Sequence, residues 1–527
     1  MTAAPGAPSL SPHDKGKPNV LRAAFSVGFA TMISRVTGLG RDILVAAALG
    51  AGPIADIFVV AFRLPNLFRR LFAEGAFSAA FIPLYTEALA KNGEKSARDF
   101  ASSVFAALVL VLVLFTAIAQ IFMPYFVMAI AQGFSDRPEQ FDLAVYYTRI
   151  AFPYLFFMSL LAFYAALLNA RGAFFAPAFA PVLLNIITIS ALTIAFIVDG
   201  VAIDYLIWGV ALAGVVQFIW GALAALRQGI TIELVWPRLT PDVKKLWWLA
   251  IPGILAAGIG QINLLVGTSI ATAQAGAASW LYYADRLYQL PMGIIGVALG
   301  VALLPTVSHY ISSNDAAGAA RAQSSAIIAG MALTIPAAAG LAVLAHPLVQ
   351  LFFERGAFTS EDSIATAMAV QVFCFGLPAF ILIRLLQPAF FARKDTLTPL
   401  IDAAVGVILN ITLSLVLFPK YGHLAIAFAT TCAGYLTVVL TLIRIWLRAY
   451  WRPDYSFVRR IITQKVSAII MAAGVYLFIS YVEPITKLGL LAMILGAVIL
   501  GAIIFGGLLW LLGGATRDDF ARLRRPQ

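Results

Sequence analysis

The chain contains little charge and almost no sulfur that could form a structural crosslink. Of its 527 residues, 12% are charged and two are cysteines, whereas about a quarter of the residues in soluble domains are charged. Cys374 and Cys432 both lie within apolar runs, so we expect no disulfide framework and no cysteine-based zinc site. The four histidines are scattered, without metal-ligand spacing. The sequence therefore predicts no metal and no cofactor.

No phosphate-binding loop of the G-x-x-x-x-G-K-[ST] type occurs either. What the sequence has instead is apolar surface, with 61% hydrophobic residues against about 45–50% in soluble domains. The runs at 101–119 and 488–512 are nearly uninterrupted, and runs of about 18 or more apolar residues are typical of membrane-spanning helices. They do not alternate as barrel strands do. We therefore predict an all-α polytopic membrane protein.

Clusters of charge, proline and glycine divide the chain into predicted helices. There are fourteen: 22–49, 54–90, 98–123, 142–170, 177–198, 204–227, 244–274, 284–310, 320–345, 362–392, 398–418, 423–448, 458–482 and 488–513. An even number puts both termini on one side of the membrane. That side carries 24 of the 36 lysines and arginines and the other side four, so the positive-inside rule predicts cytoplasmic termini. The net charge of +11 is thus explained by topology, and we expect no nucleic-acid binding.

Short motifs recur at a nearly constant spacing. Ile82-Pro83 matches Leu304-Pro305, and Leu184-Asn185-Ile186 matches Leu409-Asn410-Ile411, at offsets of 222 and 225. This offset corresponds to six predicted helices, so the two halves share one orientation, as in transporters with parallel repeats.

The repeat predicts two six-helix lobes around a central cavity, followed by an appended pair of helices. The predicted divisions are a disordered cytoplasmic tail at 1–20, an N-lobe at 21–228, a C-lobe at 241–450, appended helices 13 and 14 at 457–513, and a basic tail at 514–527.

The remaining eight basic residues fall at membrane depth, and all are arginines. They are Arg35, Arg41, Arg63, Arg69, Arg70, Arg149, Arg286 and Arg384. Each costs about 2.5–3.5 kcal/mol at a helix centre on insertion scales. We therefore expect these side chains to face a cavity or a partner.

Six of these arginines lie in three clusters together with four acids. The clusters are 34–42, then Asp56 with 63–75, and 279–286. The surplus of two positive charges favours an anion with phosphate geometry, because guanidinium offers paired planar donors. Helical spacing predicts that Arg69 faces inward with Asn66 and that Arg70 pairs with Glu74. The tyrosines of the third cluster, which opens at Ser279, fit either an interfacial belt or a cavity wall.

The residues of these clusters resemble a known family. The stretches Ser34-Arg35-Val36-Thr37-Gly38, Leu64 to Phe77 and Tyr282-Tyr283-Ala284-Asp285-Arg286-Leu287 are similar to those of the MurJ (MviN) lipid II flippases, within the multidrug/oligosaccharidyl-lipid/polysaccharide exporter superfamily. The resemblance runs in order from about residue 20 to the C-terminal tail.

This resemblance implies two lobes that alternate between inward-open and outward-open states. It also implies a substrate, undecaprenyl-pyrophosphate-linked peptidoglycan precursor, moved from the cytoplasmic to the periplasmic face of the bacterial inner membrane, and a groove for the polyprenyl tail at the appended helices. No catalytic residue is implied, so we expect a transporter of membrane lipid and not an enzyme. The implied substrate-binding residues, together with the serine of the third cluster, are Arg35, Arg41, Asp56, Asn66, Arg69, Ser279 and Arg286.

The sequence leaves several alternatives open. A flippase for another polyprenyl-pyrophosphate-linked oligosaccharide fits the same charges, and a membrane enzyme acting on such lipids is a third reading, although the loops carry only scattered acids. The driving force is also open between membrane potential, a proton and a sodium ion. Gln289 stands where some members of the family carry glutamate, which puts a carboxylate-dependent coupling in doubt.

Overall fold

A computed structural model describes residues 20–72, 76–238 and 240–513 of the chain. Within these ranges the secondary structure is almost entirely helical and contains no strand. Residues 1–19 of the predicted tail at 1–20, the predicted tail at 514–527 and the predicted pair of Arg70 with Glu74 lie outside what the structure describes.

Nineteen α-helices follow one another along the described ranges. They are α1 (Val20–Leu49), α2 (Pro53–Phe72), α3 (Ala76–Ile121), α4 (Met123–Ile130), α5 (Pro138–Ala151), α6 (Pro153–Ala170), α7 (Phe175–Ile197), α8 (Ala202–Arg227), α9 (Pro241–Ala271), α10 (Ala277–Pro291), α11 (Val297–Ser312), α12 (Ala316–Val343), α13 (Ala345–Phe352), α14 (Ser360–Leu386), α15 (Pro388–Phe391), α16 (Leu397–Tyr421), α17 (His423–Leu447), α18 (Tyr455–Tyr481) and α19 (Lys487–Leu511).

Several predicted spans consist of two helices or of a broken one. The span predicted at 54–90 comprises α2 and the first part of α3, and α3 is interrupted at Gly93, whose φ of 78° is non-helical. The span predicted at 142–170 comprises α5 and α6, which meet in front of Pro153. Proline cannot donate the backbone hydrogen bond of an α-helix interior, so a new helix begins there.

The span predicted to begin at residue 284 begins earlier. α10 starts at Ala277, after Gly276 with φ 83°, and a π-helical turn at 292–296 joins it to α11. The sequence predicted Asp285 and Arg286 at the beginning of a span, whereas in the structure they lie inside α10. Helix α10 therefore carries the third polar cluster on one continuous surface.

The architecture agrees with the predicted fold class. Among the described residues, ten helical segments are long and apolar enough to cross a membrane by length and composition. The count of fourteen spans is consistent with these helices. The division into lobes at 21–228 and 241–450 stays a prediction.

Backbone contacts group the described chain into two compact units. The first unit comprises the described parts of Met1–Arg41, Pro65–Ile121 and Arg149–Leu255. Its core is a cluster of aromatic and aliphatic side chains, with Phe81 and Phe163 fully buried.

The second unit comprises the described parts of Asp42–Leu64, Phe122–Thr148 and Ala256–Gln527. Its core includes the buried residues Tyr283, Leu377 and Phe390. Helices α1 and α2 each contribute to both units, because the division passes after Arg41 and after Leu64.

Candidate functional site

In the second unit, one carboxylate organises the polar face of α10. Asp42, near the C-terminal end of α1, is 2% exposed. Its Oδ1 accepts a hydrogen bond from the Tyr282 hydroxyl at 3.1 Å, and its Oδ2 lies 3.2 Å from Arg286 Nε. Tyr282 and Arg286 are four residues apart and so share one face of α10, and the guanidinium lies 4.6 Å from the centre of the Tyr282 ring. A third of the Arg286 side chain is still exposed, so the carboxylate and the ring orient an arginine that remains accessible.

A second buried carboxylate lies at the beginning of the same helix. Asp56 of α2 is fully buried. It accepts hydrogen bonds from the backbone N–H of Gly276 at 2.7 Å, the backbone N–H of Ser279 at 2.9 Å and the Ser279 hydroxyl at 2.8 Å. A negative charge is favourable at a helix N-terminus, where backbone N–H groups are unpaired. The structure thus brings Asp56 and Ser279 together and joins α2 to α10.

Close backbone packing surrounds this junction. The Tyr283 hydroxyl donates to the Gly50 carbonyl at 3.1 Å. A Cβ at Gly276 would lie 2.8 Å from the Ala51 carbonyl oxygen, which is closer than real Cβ contacts. Only glycine fits at this position, both for that reason and for its positive φ.

The segment between α4 and α5 contacts the end of α9 in the same unit. The backbone N–H of Gly133 donates to Thr272 Oγ1 at 3.1 Å, and Arg137 donates to the Thr272 carbonyl. Gln140 Nε2 donates to the Pro53 carbonyl at 3.2 Å, one turn before Asp56. Sequence reasoning missed this segment, because its residues carry no motif. The one available signal was a glycine in a short polar loop.

In the first unit, the predicted substrate-binding arginines lie on α1 and α2. Arg69 Nε donates to Asn66 Oδ1 at 3.2 Å, the pairing that their spacing predicted. Arg41 is 8% exposed, whereas Arg35 is exposed. Helix α1 continues without interruption through Gly38 and Gly40.

Asn185 fixes the position of α1. In the sequence this residue was notable only as part of the internal repeat. Asn185 of α7 is 4% exposed. Its Nδ2 donates to the Ser34 carbonyl at 3.0 Å and lies 3.1 Å from Thr37 Oγ1. A Cβ at Gly38 would be 3.4 Å from the same amide nitrogen. Asn185 therefore holds the stretch of α1 that carries Arg35 and Arg41.

The charge balance differs between the polar residues of the two units. In the first unit, the described stretches 34–41 and 65–69 contain Arg35, Arg41 and Arg69 and no acid. We call these three residues the arginine cluster. In the second unit, the carboxylates of Asp42 and Asp56 already accept hydrogen bonds from protein donors. The positive surplus predicted from the sequence is thus concentrated in the first unit.

The other membrane-depth arginines have local partners or lie at the surface. Arg63 donates to Thr268 Oγ1, and Arg149 Nε donates to the Gln120 carbonyl at 3.2 Å. Arg384 is exposed on α14. Gln289 donates to Asp285, one turn earlier on α10. Among the residues that the structure describes, no cluster of histidine, cysteine and acidic side chains has the arrangement of a metal site.

Comparison with known proteins relates this geometry to one family. The family model described as "Lipid II flippase MurJ" matches residues 45–512. A probable lipid II flippase MurJ of Rhizobium meliloti (strain 1021) is 44% identical over 460 residues, which cover 86% of this chain and 86% of that protein. The lipid II flippase MurJ of Burkholderia cenocepacia is 33% identical over 510 residues, covering 94% of this chain and 98% of that protein.

Solved structures show the same architecture. A lipid II flippase MurJ in an inward closed conformation superposes with a TM-score of 0.79 at 26% identity, covering 92% of this chain and 99% of that one. An inward-facing multidrug-resistance MATE family transporter of the MOP superfamily has a TM-score of 0.67 at 15% identity, covering 81% of this chain and 98% of that one. The second likeness concerns the fold alone.

Proposed function

Because the chain belongs to the lipid II flippase MurJ family, we propose that it translocates lipid II, the undecaprenyl-pyrophosphate-linked peptidoglycan precursor, from the cytoplasmic to the periplasmic leaflet by alternating access. The MurJ and MATE folds of its structural neighbours support alternating access as the mode of transport. The family also supports a transporter in preference to an enzyme.

The observation that carries this proposal is the arginine cluster. Arg35, Arg41 and Arg69 lie on two consecutive helices of one unit, in stretches without an acid. Guanidinium groups bind phosphate through two parallel hydrogen bonds, which are stronger when both partners are charged. Arginine at membrane depth is costly to insert, and a pyrophosphate offers the paired oxygen acceptors that guanidinium groups bind, so the positive charge of this cluster favours such a ligand.

Within the second unit, we assign two roles to the acids. Asp42 orients Arg286, which adds a further cation for the substrate. Asp56 with Ser279 fastens α2 to α10 by three hydrogen bonds at buried positions. When this junction breaks, water can hydrogen-bond to the exposed carboxylate and to the two backbone donors. The junction can therefore open and close at a moderate energetic cost.

The placement in the cell follows from the same proposal. We propose that the protein resides in the bacterial inner membrane with both termini in the cytoplasm, as the distribution of lysine and arginine predicts. The lobes at 21–228 and 241–450 surround the substrate, and α18 and α19 receive its polyprenyl tail. The coupling energy comes from membrane potential or from an ion. Gln289 has no carboxylate and therefore cannot act as an acid in that coupling.

Depletion of the protein in its host tests the proposed function directly. Lipid II should accumulate and stay inaccessible to enzymes added outside intact spheroplasts, and expression of the natural chain or of Arg149→Ala should restore access. If lipid II access is unchanged while another polyprenyl-pyrophosphate-linked oligosaccharide becomes inaccessible, the cargo is that oligosaccharide. If both remain accessible, the flippase proposal is wrong.

A further inference from the structure

The second unit contains an apolar cavity away from the polar clusters. Its volume is about 410 Å³, and α12, α14, α17, α18 and the turn before α18 line it. Ligand pockets commonly have volumes of about 300–1,000 Å³. No residue of α19 lines the cavity, so it is distinct from the groove between α18 and α19 that the family resemblance assigns to the polyprenyl tail.

The cavity is long and opens at the protein surface. Its lining on α12 extends from Ile327 to Ala342, a length of about 22 Å at 1.5 Å per helical residue. Two lining aromatic residues, Phe375 and Tyr435, are 68% and 43% exposed. These dimensions suit one extended acyl chain that enters from the surrounding lipid.

Positive charge lies along the side of the cavity that α18 and the turn before it form. Lys465 is the charged member of the described lining residues, and it shares a face of α18 with Phe457 and Ile461. Arg452 is exposed and lies between two lining residues, Trp451 and Pro453. A lysine can place its ammonium group at the lipid head-group level while its methylene stem covers apolar surface.

Acidic groups do not neutralise this side of the cavity. Asp454 is the one acid between residues 452 and 465, against four lysines and arginines. The Asp454 carboxylate accepts the Phe457 backbone N–H at 2.9 Å and the Ser456 hydroxyl at 2.9 Å, which caps the beginning of α18. This side of the cavity is therefore complementary to an anion.

We infer that this cavity binds one acyl chain of an anionic phospholipid, whose charged head group Lys465 and Arg452 attract electrostatically. Basic residues next to membrane helices attract anionic head groups, and the apolar cavity supplies the second contact that fixes one lipid molecule. The bound chain would fill the space between α18 and the helices α12, α14 and α17. Such a lipid stabilises the attachment of α18 to the second unit.

Native mass spectrometry of the purified full-length protein tests this inference. The protein is titrated with phosphatidylglycerol or with phosphatidylcholine of identical acyl chains, and retained lipid is counted. One phosphatidylglycerol should bind, with phosphatidylcholine binding at least fivefold more weakly. Lys465→Gln and Arg452→Gln should each weaken the binding of phosphatidylglycerol about fivefold. This factor corresponds to about 1 kcal/mol, the contribution of one basic residue at an anionic membrane surface.

Variants of the apolar lining separate the cavity from general surface attraction. Ala339→Phe places a ring into the cavity and should reduce bound phosphatidylglycerol. Ala473→Phe, at an exposed position of α18, and Lys244→Gln, on exposed α9, are the matched controls and should bind normally. Because each variant changes one side chain and is checked by its thermal unfolding in detergent, a misfolded variant is recognised and is replaced by Ala342→Phe.

Three results would overturn the inference. Equal retention of the two phospholipids would refute recognition of the head group. Undiminished binding in both Ala339→Phe and Ala342→Phe would refute the cavity as the binding site. Displacement of phosphatidylglycerol by undecaprenyl phosphate, one molecule for one, would assign the cavity to the polyprenyl tail instead.

Discussion

Asn185 and Asn410 make corresponding contacts in the two halves of the chain. Asn185 of α7 donates to the Ser34 carbonyl of α1, and Asn410 of α16 donates to Asn263 Oδ1 of α9 at 2.7 Å. The partners of each pair are 151 and 147 residues apart. A contact that recurs at nearly the same separation supports duplication of a six-helix unit more strongly than the short sequence motifs do.

We predict that arginine substitutions separate phosphate recognition from packing. A hydrogen bond to a charged group contributes roughly 1.5–3 kcal/mol, so Arg41→Ala, Arg69→Ala and Arg286→Ala should each weaken lipid II binding by about 10- to 150-fold. Lysine should restore binding incompletely, because it lacks the bidentate fork. Binding of labelled lipid II to purified variants measures this.

The controls for these variants are Arg149→Ala and Arg384→Ala, at two exposed positions. Both should bind and flip lipid II normally. Normal flipping by Arg41→Ala, Arg69→Ala and Arg286→Ala, once their presence in the membrane is verified, would refute phosphate recognition by these arginines.

A second prediction concerns the junction of Asp56 with α10. Asp56→Asn replaces an acceptor of three hydrogen bonds by an amide, so the junction should open more often. In a chain with Cys374 and Cys432 replaced by alanine, labelling of Ala277→Cys by an impermeant thiol reagent should become about 10-fold faster, as expected for the loss of one charged hydrogen bond.

The same substitution should change how transport depends on membrane potential or pH. Ser279→Ala should give a smaller increase in labelling, because backbone donors remain, and the exposed Glu361→Gln should give none. Unchanged labelling and unchanged transport dependence in Asp56→Asn would reduce this carboxylate to a packing residue.

A third prediction concerns topology. Ile485, Leu234 and Tyr455 are 99%, 81% and 84% exposed, so a cysteine at each is accessible from its own side. In intact spheroplasts, Ile485→Cys should react with an impermeant reagent, while Leu234→Cys and Tyr455→Cys should react only after permeabilisation. The opposite pattern would invert the proposed orientation.

A fourth prediction concerns the glycine beside α9. A Cβ at Gly133 would lie 2.2 Å from the Ala273 backbone nitrogen, and backbone cannot move aside as a flexible side chain can. Gly133→Ala should therefore destabilise the protein by about 1–3 kcal/mol, as overpacking typically does, and should lower both Tm and flipping rate. Gly52→Ala, where a Cβ meets nothing within 4 Å, is the control. Equal Tm values for the two variants would contradict the close approach.

A fifth prediction concerns acid stability at the turn before α16, outside the membrane-spanning helices. Hydrogen bonds from the Thr398 side chain and backbone, with Arg448 as a further donor, lower the pKa of Asp395 from 3.8 to about 2. A lowered pKa in the folded state stabilises the fold above the ordinary value, and this stabilisation disappears as pH falls from about 4 towards 2.

Thermal unfolding in detergent between pH 2.5 and 6 measures this effect. The natural chain should lose Tm more steeply in that range than Asp395→Asn does, whereas the exposed Asp136→Asn should follow the natural chain. Identical acid slopes in all three would show that the Thr398 contacts do not stabilise the carboxylate.

Several features were predictable because they depend on residues close in the chain. Apolar runs and the basic residues between them determine which segments are membrane helices, since each helix satisfies its own backbone hydrogen bonds in lipid. The contact of Arg69 with Asn66 follows from spacing on a single helix. The gap predicted between residues 90 and 98 contains Gly93, where α3 is interrupted. The start of α10 at Ala277 was missed, because the sequence placed the beginning of that span at residue 284.

Which polar groups contact one another depends on the tertiary structure. The sequence left Tyr282 between an interfacial belt and a cavity, whereas its hydroxyl donates to Asp42, 240 residues away. Asp56 and Ser279 are 223 residues apart. In the sequence alone, each fits the role of a substrate-binding residue. A buried carboxylate requires hydrogen-bond donors, and this requirement can be inferred from the sequence. Only the packing of α1, α2 and α10 determines whether a tyrosine, a serine or a helix N-terminus meets it, because hydrogen bonds act over about 3 Å.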